Sequence, residues 1–557
     1  MASLSPHRAT ALRIALVAAL ASGLAPSTAM AQSERESLET LRQTTLALIE
    51  VLVQSGTLTR DKADALLADA RKRAEVAVAE AAKSEGQVVR VPYVPQVVRD
   101  QIRNEVREEV IARARAERWG VPNATAEWTD RITIEGDLRV RAQSDRAASG
   151  NPSPLDFLAA SLGGTTRAAD LSAGNATGLA TASTQDDRDR LRLRARLGIT
   201  AKVNDMVTVG LRMATGSTSD RVSTNQTLGQ NFNRYQFLLE RAFVKMDPTE
   251  WVSISAGRFA NPWFSTDLTW SDNLNFEGAA ASFKWPAQST STWQPFATVG
   301  LFPVRESAPP RSGRNVLGAQ VGVQWEASAR TRVKFGLAQY RFNNFEGKVD
   351  PDFDAVNGAG RSYGQFEYEA GLRQRGNTLF LTNNPLEIAG GLTPDKARWG
   401  LASRFQPVAL TAAAEFSHFA PFVVGLSSEV VRNAGFDKQE ILARTGIQVD
   451  DARSYGANVR ATFGSQAVRN AGDWQLSLGY SWLGSDAVPD AFTGNELALG
   501  GTNVKGITAG LVYGVARDTN LGLRVLSGRT ISSPTVRPTA KDSFSVFGLQ
   551  VDLNVRF

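Results

Sequence analysis

"SVFGLQVDLNVRF", residues 545–557, places an apolar side chain at every second position. These apolar residues are Phe547, Leu549, Val551, Leu553, Val555 and Phe557. A period of two is typical of a β-strand with one apolar face and one polar face. An edge strand of a soluble sheet and a strand of a transmembrane barrel both show this pattern, so the remaining sequence has to distinguish them.

The same period of two recurs from Arg131 to the end of the sequence, for example in "RITIEGDLRVR" (131–141) and "DRLRLRARLGITAK" (189–202). The segments between these stretches alternate in length. Short ones, such as 203–205, 406–407 and 517–519, predict tight turns, and eight longer ones predict loops. The long segments are 143–188, 216–234, 259–276, 303–313, 342–397, 419–451, 485–502 and 531–542. Short turns at one end and long loops at the other are typical of outer-membrane barrels, so residues 131–557 predict a barrel of about sixteen antiparallel strands. Residues 362–375 and 422–432 also alternate weakly.

Residues 1–31 have the three parts of a secretory signal peptide. Arg8 and Arg13 come first, an apolar run follows at 14–20, and "AMA" at 29–31 provides small residues for cleavage. The sequence therefore predicts an exported protein whose mature chain begins near Gln32. No later stretch approaches the roughly 20 apolar residues that a membrane-spanning helix needs.

Residues 32–130 predict a periplasmic helical region followed by a linker. Helical periodicity over 33–84 indicates a helical hairpin. A charged helix follows, with one apolar stripe formed by Val98, Ile102, Val106 and Val110. Such a narrow stripe fits the seam of a self-associating coiled coil, and packing against a neighbouring helix of the same chain would also explain it.

Arginines alternate with aliphatic residues on one predicted strand. We define the arginine ladder as Arg190, Arg192, Arg194 and Arg196, joined by Arg139 and Arg141 on the preceding strand. If the aliphatic residues face lipid, these guanidiniums face the lumen. Guanidinium binds carboxylate and phosphate, and rings of arginine in pores favour anions. Alternatively, lumen acids such as Glu135 and Asp137 pair with the ladder and cancel its field.

The loop at 259–276 carries Asp267 and Asp272, and Glu277 follows at the start of the next strand. Folded into the barrel, the loop would place these acids opposite the arginine ladder and form a constriction. As an external loop, it would carry ordinary solvated acids. The dipeptide Asn261-Pro262 and the surrounding aromatic residues favour an ordered loop.

Several classes of protein are disfavoured by the residues that the chain lacks. The sequence has no cysteine, and removal of residues 1–31 leaves His418 as the sole histidine. This composition cannot provide a thiolate or multi-histidine metal site. The basic residues mostly alternate with apolar ones, whereas nucleic-acid binding favours a clustered basic face. We expect no enzyme activity, no cofactor or metal, and no nucleic-acid partner.

Two stretches resemble segments of the bacterial "putative porin" family: "AGRFANPWFSTDLTWSDNLNFEGAA" (256–280) and "VPYVPQVVRDQIRNEVREEV" (91–110). The resemblance implies an outer-membrane channel without identifying its solute. Separately, Phe557 at the end of an alternating strand resembles the signal that outer-membrane barrels present to their assembly machinery.

The expected function is therefore passive diffusion of small hydrophilic solutes or ions, with the arginine ladder favouring anions. The expected partners are outer-membrane lipid and further copies of the chain in a homo-oligomer, a trimer. A different class of function stays open. The barrel could be an anchor for a structural tether whose helices bind the cell wall or a periplasmic partner.

Overall fold

The computed structural model describes residues 131–152, 168–169, 185–285, 291–308, 311–351, 364–392, 396–532 and 543–557, together with Ala68 and Lys72. The chain divides into two units, Met1–Ala124 and Thr125–Phe557, and the following description concerns the second. The predicted signal peptide, helical hairpin and apolar stripe (Val98, Ile102, Val106, Val110) lie outside the described residues, apart from the two helical positions Ala68 and Lys72. These features therefore stay predictions.

In the described part of the chain, sixteen long antiparallel strands form a closed barrel. The strands are β1 (Ile132–Ala147), β2 (Arg188–Lys202), β3 (Val207–Thr215), β4 (Phe237–Thr249), β5 (Val252–Ala260), β6 (Asn275–Lys284), β7 (Trp293–Arg305), β8 (Arg314–Ser328), β9 (Thr331–Asn343), β10 (Pro407–Phe419), β11 (Phe422–Asn433), β12 (Tyr455–Gly464), β13 (Trp474–Leu483), β14 (Val504–Ala516), β15 (Thr519–Thr530) and β16 (Ser545–Arg556). Each strand pairs with its neighbours in the chain, and β1 also pairs with β16. A short segment, Gln226–Thr227, bridges to β2.

The alternation in sequence becomes an alternation of faces. Leu191, with 56% of its surface exposed, and its alternate neighbours Leu193 and Leu197 lie on the outer face of β2. The intervening arginines point inward, where they contact side chains of other strands and loops. A barrel in lipid needs this arrangement, with apolar residues outside and polar ones inside.

Turns and loops separate by end, as the sequence predicted. The connections 203–206, 250–251, 329–330, 420–421 and 517–518 are tight, and the connection 465–473 is somewhat longer. At the opposite end lie the long loops, of which three matter for the interior: L3 (261–274), L5 (344–406) and L7 (484–503). The predicted number of strands is confirmed. Short turns face the periplasm in outer-membrane barrels, so we assign the short-turn end to that side.

Two errors in the predicted strands left the total unchanged: one predicted strand is not part of the barrel, and one barrel strand was not predicted. The sequence predicts a strand before a turn at 406–407 and a single loop over 419–451. The structure has β11 within that predicted loop, after the turn at 420–421. The apolar residues Trp399–Leu401 instead form a short strand in a small separate sheet with Leu379–Leu381 and Ala168–Ala169. Trp399 and Leu401 are buried there, so their apolar character reflects packing of L5 and not contact with lipid.

L5 also contains helix α1 (Pro385–Ala389), and helix α2 (Lys438–Thr445) lies between β11 and β12. None of the helices in the described ranges is long and apolar enough to cross a membrane. The buried apolar cluster lies inside the barrel, where L3, L5 and L7 pack on the inner faces of the strands.

The barrel closes where the two ends of the sheet meet. The backbone amide of Gly136 donates to the carbonyl of Phe557 at 2.8 Å, and the amide of Phe557 donates to the carbonyl of Gly136 at 3.0 Å. The ring of Phe557 lies so close over Gly136 that a Cβ at this position would be 2.4 Å from it. A glycine at residue 136 therefore leaves room for the terminal aromatic ring at the seam.

We predict that Gly136→Ala destabilises the closed barrel by about 1 kcal/mol, because the added methyl displaces the ring of Phe557. The measurement is urea unfolding of protein refolded into detergent micelles, followed by tryptophan fluorescence. Gly522→Ala on β15 is the matched control, because an added Cβ has no neighbour closer than 3.5 Å. Equal unfolding curves for the two variants would contradict the role of this contact in closure.

Candidate functional site

L3 leaves the barrel wall at β5 and returns to it at β6, yet it contacts strands β11 and β12. The amide of Thr266 donates to the Glu429 carboxylate at 2.9 Å, and the hydroxyl of Thr269 donates to the same carboxylate at 2.8 Å. Asp267 forms an ion pair with Arg460 on β12 at 3.0 Å. L3 therefore spans the lumen, and Asp267 lies inside the barrel.

Aromatic packing fixes the near side of L3. Trp263 meets Tyr340 edge to face with ring centroids 5.2 Å apart. Trp270 does the same with Tyr340 at 5.1 Å and with Phe276 at 4.9 Å. Trp270 is only 2% exposed, so part of the lumen near L3 is filled by side chains. Edge-to-face pairs add stability beyond simple burial, so they favour a rigid loop.

L5 and L7 narrow the lumen from the extracellular side. L7 contacts L3 directly, through the amide of Ser271 and the carbonyl of Phe492 at 2.8 Å. L5 is joined to L7 by the hydroxyl of Tyr368, which donates to Asp490 at 2.6 Å. Glu369 anchors L5 to the wall through ion pairs with Arg305 at 2.7 Å and Arg314 at 2.9 Å. The three loops thus form one hydrogen-bonded constriction.

The structure places the whole arginine ladder on the lumen side of β1 and β2. In the register of these strands, Arg139 lies opposite Arg194, and Arg141 lies opposite Arg192. Six guanidiniums in this small area repel one another unless carboxylates or anions balance them.

Four members of the ladder have carboxylate partners. Arg194 and Arg196 share Asp137, at 2.7 and 2.6 Å. Arg190 pairs with Asp145. Arg141, which is almost fully buried, pairs with Asp552 on β16 at 2.6 Å and with Glu496 of L7 at 2.7 Å.

The other two members, Arg139 and Arg192, have neutral partners. Arg139 donates to the amide oxygen of Asn225, and Arg192 donates to that of Gln143 at 3.2 Å. Within the described ranges neither has a carboxylate at ion-pair distance, and the Nε of each is buried without a hydrogen-bond partner. Charge pairing therefore cancels part of the ladder and leaves two guanidiniums without a direct ion pair; we call such a side chain uncompensated. Of the two acids predicted to pair with the ladder, Asp137 does so; Glu135 forms no ion pair in the described part of the chain.

Glu496 holds L7 against the basic wall. Its carboxylate lies between Arg141 and Arg524, with an ion pair to each. Burial opposes ionisation of this group, but the two guanidiniums outweigh that effect and lower the pKa of Glu496 to about 2. The carboxylate is therefore charged over the whole range in which most proteins are stable.

The three acids predicted for the constriction separate in the structure. Asp267 and Asp272 both line the lumen cavity between L3 and L7. Burial among protein atoms, reinforced by the Asp267 carboxylate, raises the pKa of Asp272. Glu277 lies elsewhere, on the outer face of β6, where it pairs with Arg258 of β5. The alternation of faces excludes it from the constriction, because its neighbour Phe276 points inward.

Two cavities lie along the lumen beside the ladder. The first, of about 470 Å³, lies between L3, L7 and the wall, and Arg139, Arg194 and Asp272 line it. The second, of about 590 Å³, lies on the extracellular side, and Arg192 is in its lining. Among the described residues, no group of acidic or histidine side chains is arranged to hold a metal ion.

Several residues of this site were not predicted from the sequence. Asp552 could have been found, because it occupies an inward position in the alternating stretch 545–557. Glu429 is likewise an inward residue of β11, a strand that the sequence analysis assigned to a loop. Glu496 had no signal in the sequence, because its position depends on how L7 folds back into the barrel.

The closed barrel, the separated turns and loops and the internal constriction define an outer-membrane β-barrel channel. The sequence profile of the family described as "Putative porin" matches residues 42–557, and the chain belongs to this family. No curated protein matches the chain.

Several solved structures match the chain at low identity and with TM-scores below 0.5. OprB of Pseudomonas putida is 11% identical with a TM-score of 0.43, covering 78% of this chain and 96% of its own. The outer membrane channel DcaP of Acinetobacter baumannii is 12% identical with a TM-score of 0.36, covering 77% and 98%. An anion-selective porin from Comamonas acidovorans is 11% identical with a TM-score of 0.38, covering 76% and 99%.

We predict that Glu429→Ala increases single-channel conductance and current noise. The buried amide and hydroxyls of Thr266 and Thr269 lose their acceptor, which costs about 1–3 kcal/mol for each unsatisfied group and frees L3 from the far wall. The measurement is single-channel recording in planar bilayers at ~1 M salt, where screening suppresses the effect of the lost charge. Glu277→Ala, on the outer face, is the control; unchanged conductance in both variants would show that L3 holds its position without Glu429.

Proposed function

We propose that this protein is a passive diffusion channel for small hydrophilic solutes and that it prefers anions. The observation that carries the proposal is the pair of uncompensated guanidiniums, Arg139 and Arg192, on the lumen wall. Arg139 lines the first lumen cavity and Arg192 lines the second, and a solute that crosses the constriction would pass through both cavities.

The physical basis is the imbalance of fixed charge along a narrow path. At a distance of ~7 Å through water, one guanidinium stabilises a monovalent anion by about 0.6 kcal/mol, a factor of roughly three in occupancy. Carboxylates on L3 and L7 oppose this effect. Asp267 is paired with Arg460, and Glu496 is shared by two arginines, so much of the opposing charge is already balanced.

The extracellular cavity supports the same preference. Six arginines line it, against four carboxylates. The arginines are Arg188, Arg190, Arg192, Arg221, Arg373 and Arg375, and the carboxylates are Asp145, Asp186, Asp220 and Glu496. An excess of basic groups at an entrance raises the local concentration of anions, most strongly at low ionic strength.

The proposal includes no catalytic step and no cofactor, since diffusion needs neither. The alternative function, a structural tether anchored by the barrel, can be distinguished from a channel by measuring conductance. A folded barrel that carries no current in planar bilayers would contradict the channel and leave an anchor whose helices act elsewhere.

We predict that Arg139→Gln/Arg192→Gln lowers the anion-to-cation permeability ratio at least about threefold at ~0.1 M salt, because two uncompensated charges disappear. The measurement is the reversal potential in a KCl gradient, repeated at higher salt, where the shift should shrink. The control removes two charges outside the lumen, Arg341→Gln/Arg517→Gln. Arg341 is exposed on the outer face of β9, between the inward residues Tyr340 and Phe342, and Arg517, on a short turn, is 91% exposed. An unshifted reversal potential in a conducting ladder variant would place the ion path away from Arg139 and Arg192.

We predict that the anion preference rises when the pH is lowered from neutral, and that the rise begins at a higher pH than an ordinary aspartate would give. The pKa of Asp272 is raised, so this carboxyl becomes neutral at a higher pH than an ordinary aspartate and removes negative charge from the constriction. Glu496, with its pKa near 2, keeps its charge while Asp272 is protonated. Asp272→Asn should show the higher preference already at pH 7 and a smaller change on acidification. A variant whose pH response equals that of the original protein would assign the effect to another group, such as Asp220, whose pKa is also raised by burial.

A further inference from the structure

Three basic residues lie together on the outer face of the barrel near its extracellular end. They are Arg146 at the top of β1, Lys505 at the start of β14 and Arg529 at the end of β15. Ile507 and Phe547 line the same groove, and both are exposed members of the lipid-facing rows. These cations therefore point away from the lumen and take no part in the constriction.

Lys505 and Arg529 are direct cross-strand neighbours in the register of β14 and β15. Like charges directly opposite each other destabilise a sheet unless something balances them. In the described part of the chain, neither residue forms an ion pair or a side-chain hydrogen bond. Two other basic residues on the outer face do have carboxylate partners: Arg258 pairs with Glu277, and Arg146 pairs with Asp189 at 3.0 Å.

Hydrogen-bond donors surround the two uncompensated cations. The groove has a volume of about 500 Å³, and the side chains of Tyr480, Ser527 and Ser545 line it. Ser545 lies opposite Arg529 in the register of β15 and β16. Two positive charges with three hydroxyls match a group that carries up to two negative charges and several acceptor oxygens, as a phosphate does.

The groove continues into the apolar surface below it. Ile507 and Phe547 border the cations, and Leu549 follows one lipid-facing position further along β16. Tyr480 lies directly opposite Ile507 in the register of β13 and β14. Aromatic residues are common at this position, at the boundary between lipid and water. A ligand held here would contact charge at one end and an apolar barrel wall at the other.

We propose that this groove binds a phosphorylated lipid of the outer leaflet. Its phosphate lies between Lys505 and Arg529 and accepts hydrogen bonds from the neighbouring hydroxyls, and its acyl chains lie along Ile507, Phe547 and Leu549. The continuity of the cationic groove with the lipid-facing surface favours a lipid over a free anion. The site is independent of the conducted solute, because it lies on the opposite side of the barrel wall.

The test uses the full-length protein, purified in a neutral detergent and freed of bound lipid. It is incubated with bisphosphorylated lipid A or with the dephosphorylated lipid, and bound lipid is counted by native mass spectrometry. We expect the original protein to bind the phosphorylated lipid at least about tenfold more tightly, and Lys505→Gln/Arg529→Gln to lose that difference. Arg341→Gln/Arg517→Gln, which removes two charges elsewhere, should retain it.

Three results would overturn the proposal. One is equal binding of the two lipids by the original protein, a comparison that needs no variant. Another is undiminished preference in Lys505→Gln/Arg529→Gln after gel mobility with and without heating has shown a folded barrel. The last is displacement of the lipid by an equal concentration of inorganic phosphate, which would make the occupant a free anion.

Discussion

A strand that crosses a bilayer must pair every backbone amide and carbonyl with another strand, because hydrocarbon offers no hydrogen-bonding partner. In this protein the pairing of β1 with β16 meets that requirement for the two ends of the sheet. The reciprocal hydrogen bonds between Gly136 and Phe557 complete it at the last residue of the chain. In a closed barrel the number of strands and their stagger set the diameter of the interior, so everything that narrows the lumen has to be built within a ring of given diameter.

The interior is reduced by loops that fold inward. Aromatic packing attaches L3 to one side of the barrel wall, and the Glu429 carboxylate attaches it to the other. L3 therefore crosses the lumen and is fixed at both sides. L7 is held by Glu496 between two arginines, and L5 is held by Glu369 between two more. L5 and L7 thus each use an acid of the loop against arginines of the wall, whereas L3 is held by an acid of the wall. The two uncompensated members of the ladder, Arg139 and Arg192, line the cavities beside these loops.

The barrel was predictable because alternation is a local property of the chain. In each stretch the alternation alone predicts which side chains face the lumen and which face lipid. The inward positions of the arginine ladder and of Asp552 follow from this rule. The prediction failed where burial inside the barrel imitated burial against lipid, as at Trp399–Leu401. It also missed every contact between a loop and a distant strand, such as Asp267 with Arg460, because sequence periodicity says nothing about the path of a loop. Glu277 was misassigned because it was grouped with a neighbouring loop although its position in β6 decides its face.

The arginine ladder also constrains how the sheet can be assembled. A strand that slips by one residue turns every inward side chain outward. For β2 such a slip would place Arg190, Arg192, Arg194 and Arg196 in lipid, at a cost of about 2–4 kcal/mol for each residue near the bilayer midplane. Misregistered pairings of β1 with β2 are therefore strongly disfavoured. The arginines that contribute positive charge to the lumen thus also select the correct strand register during assembly.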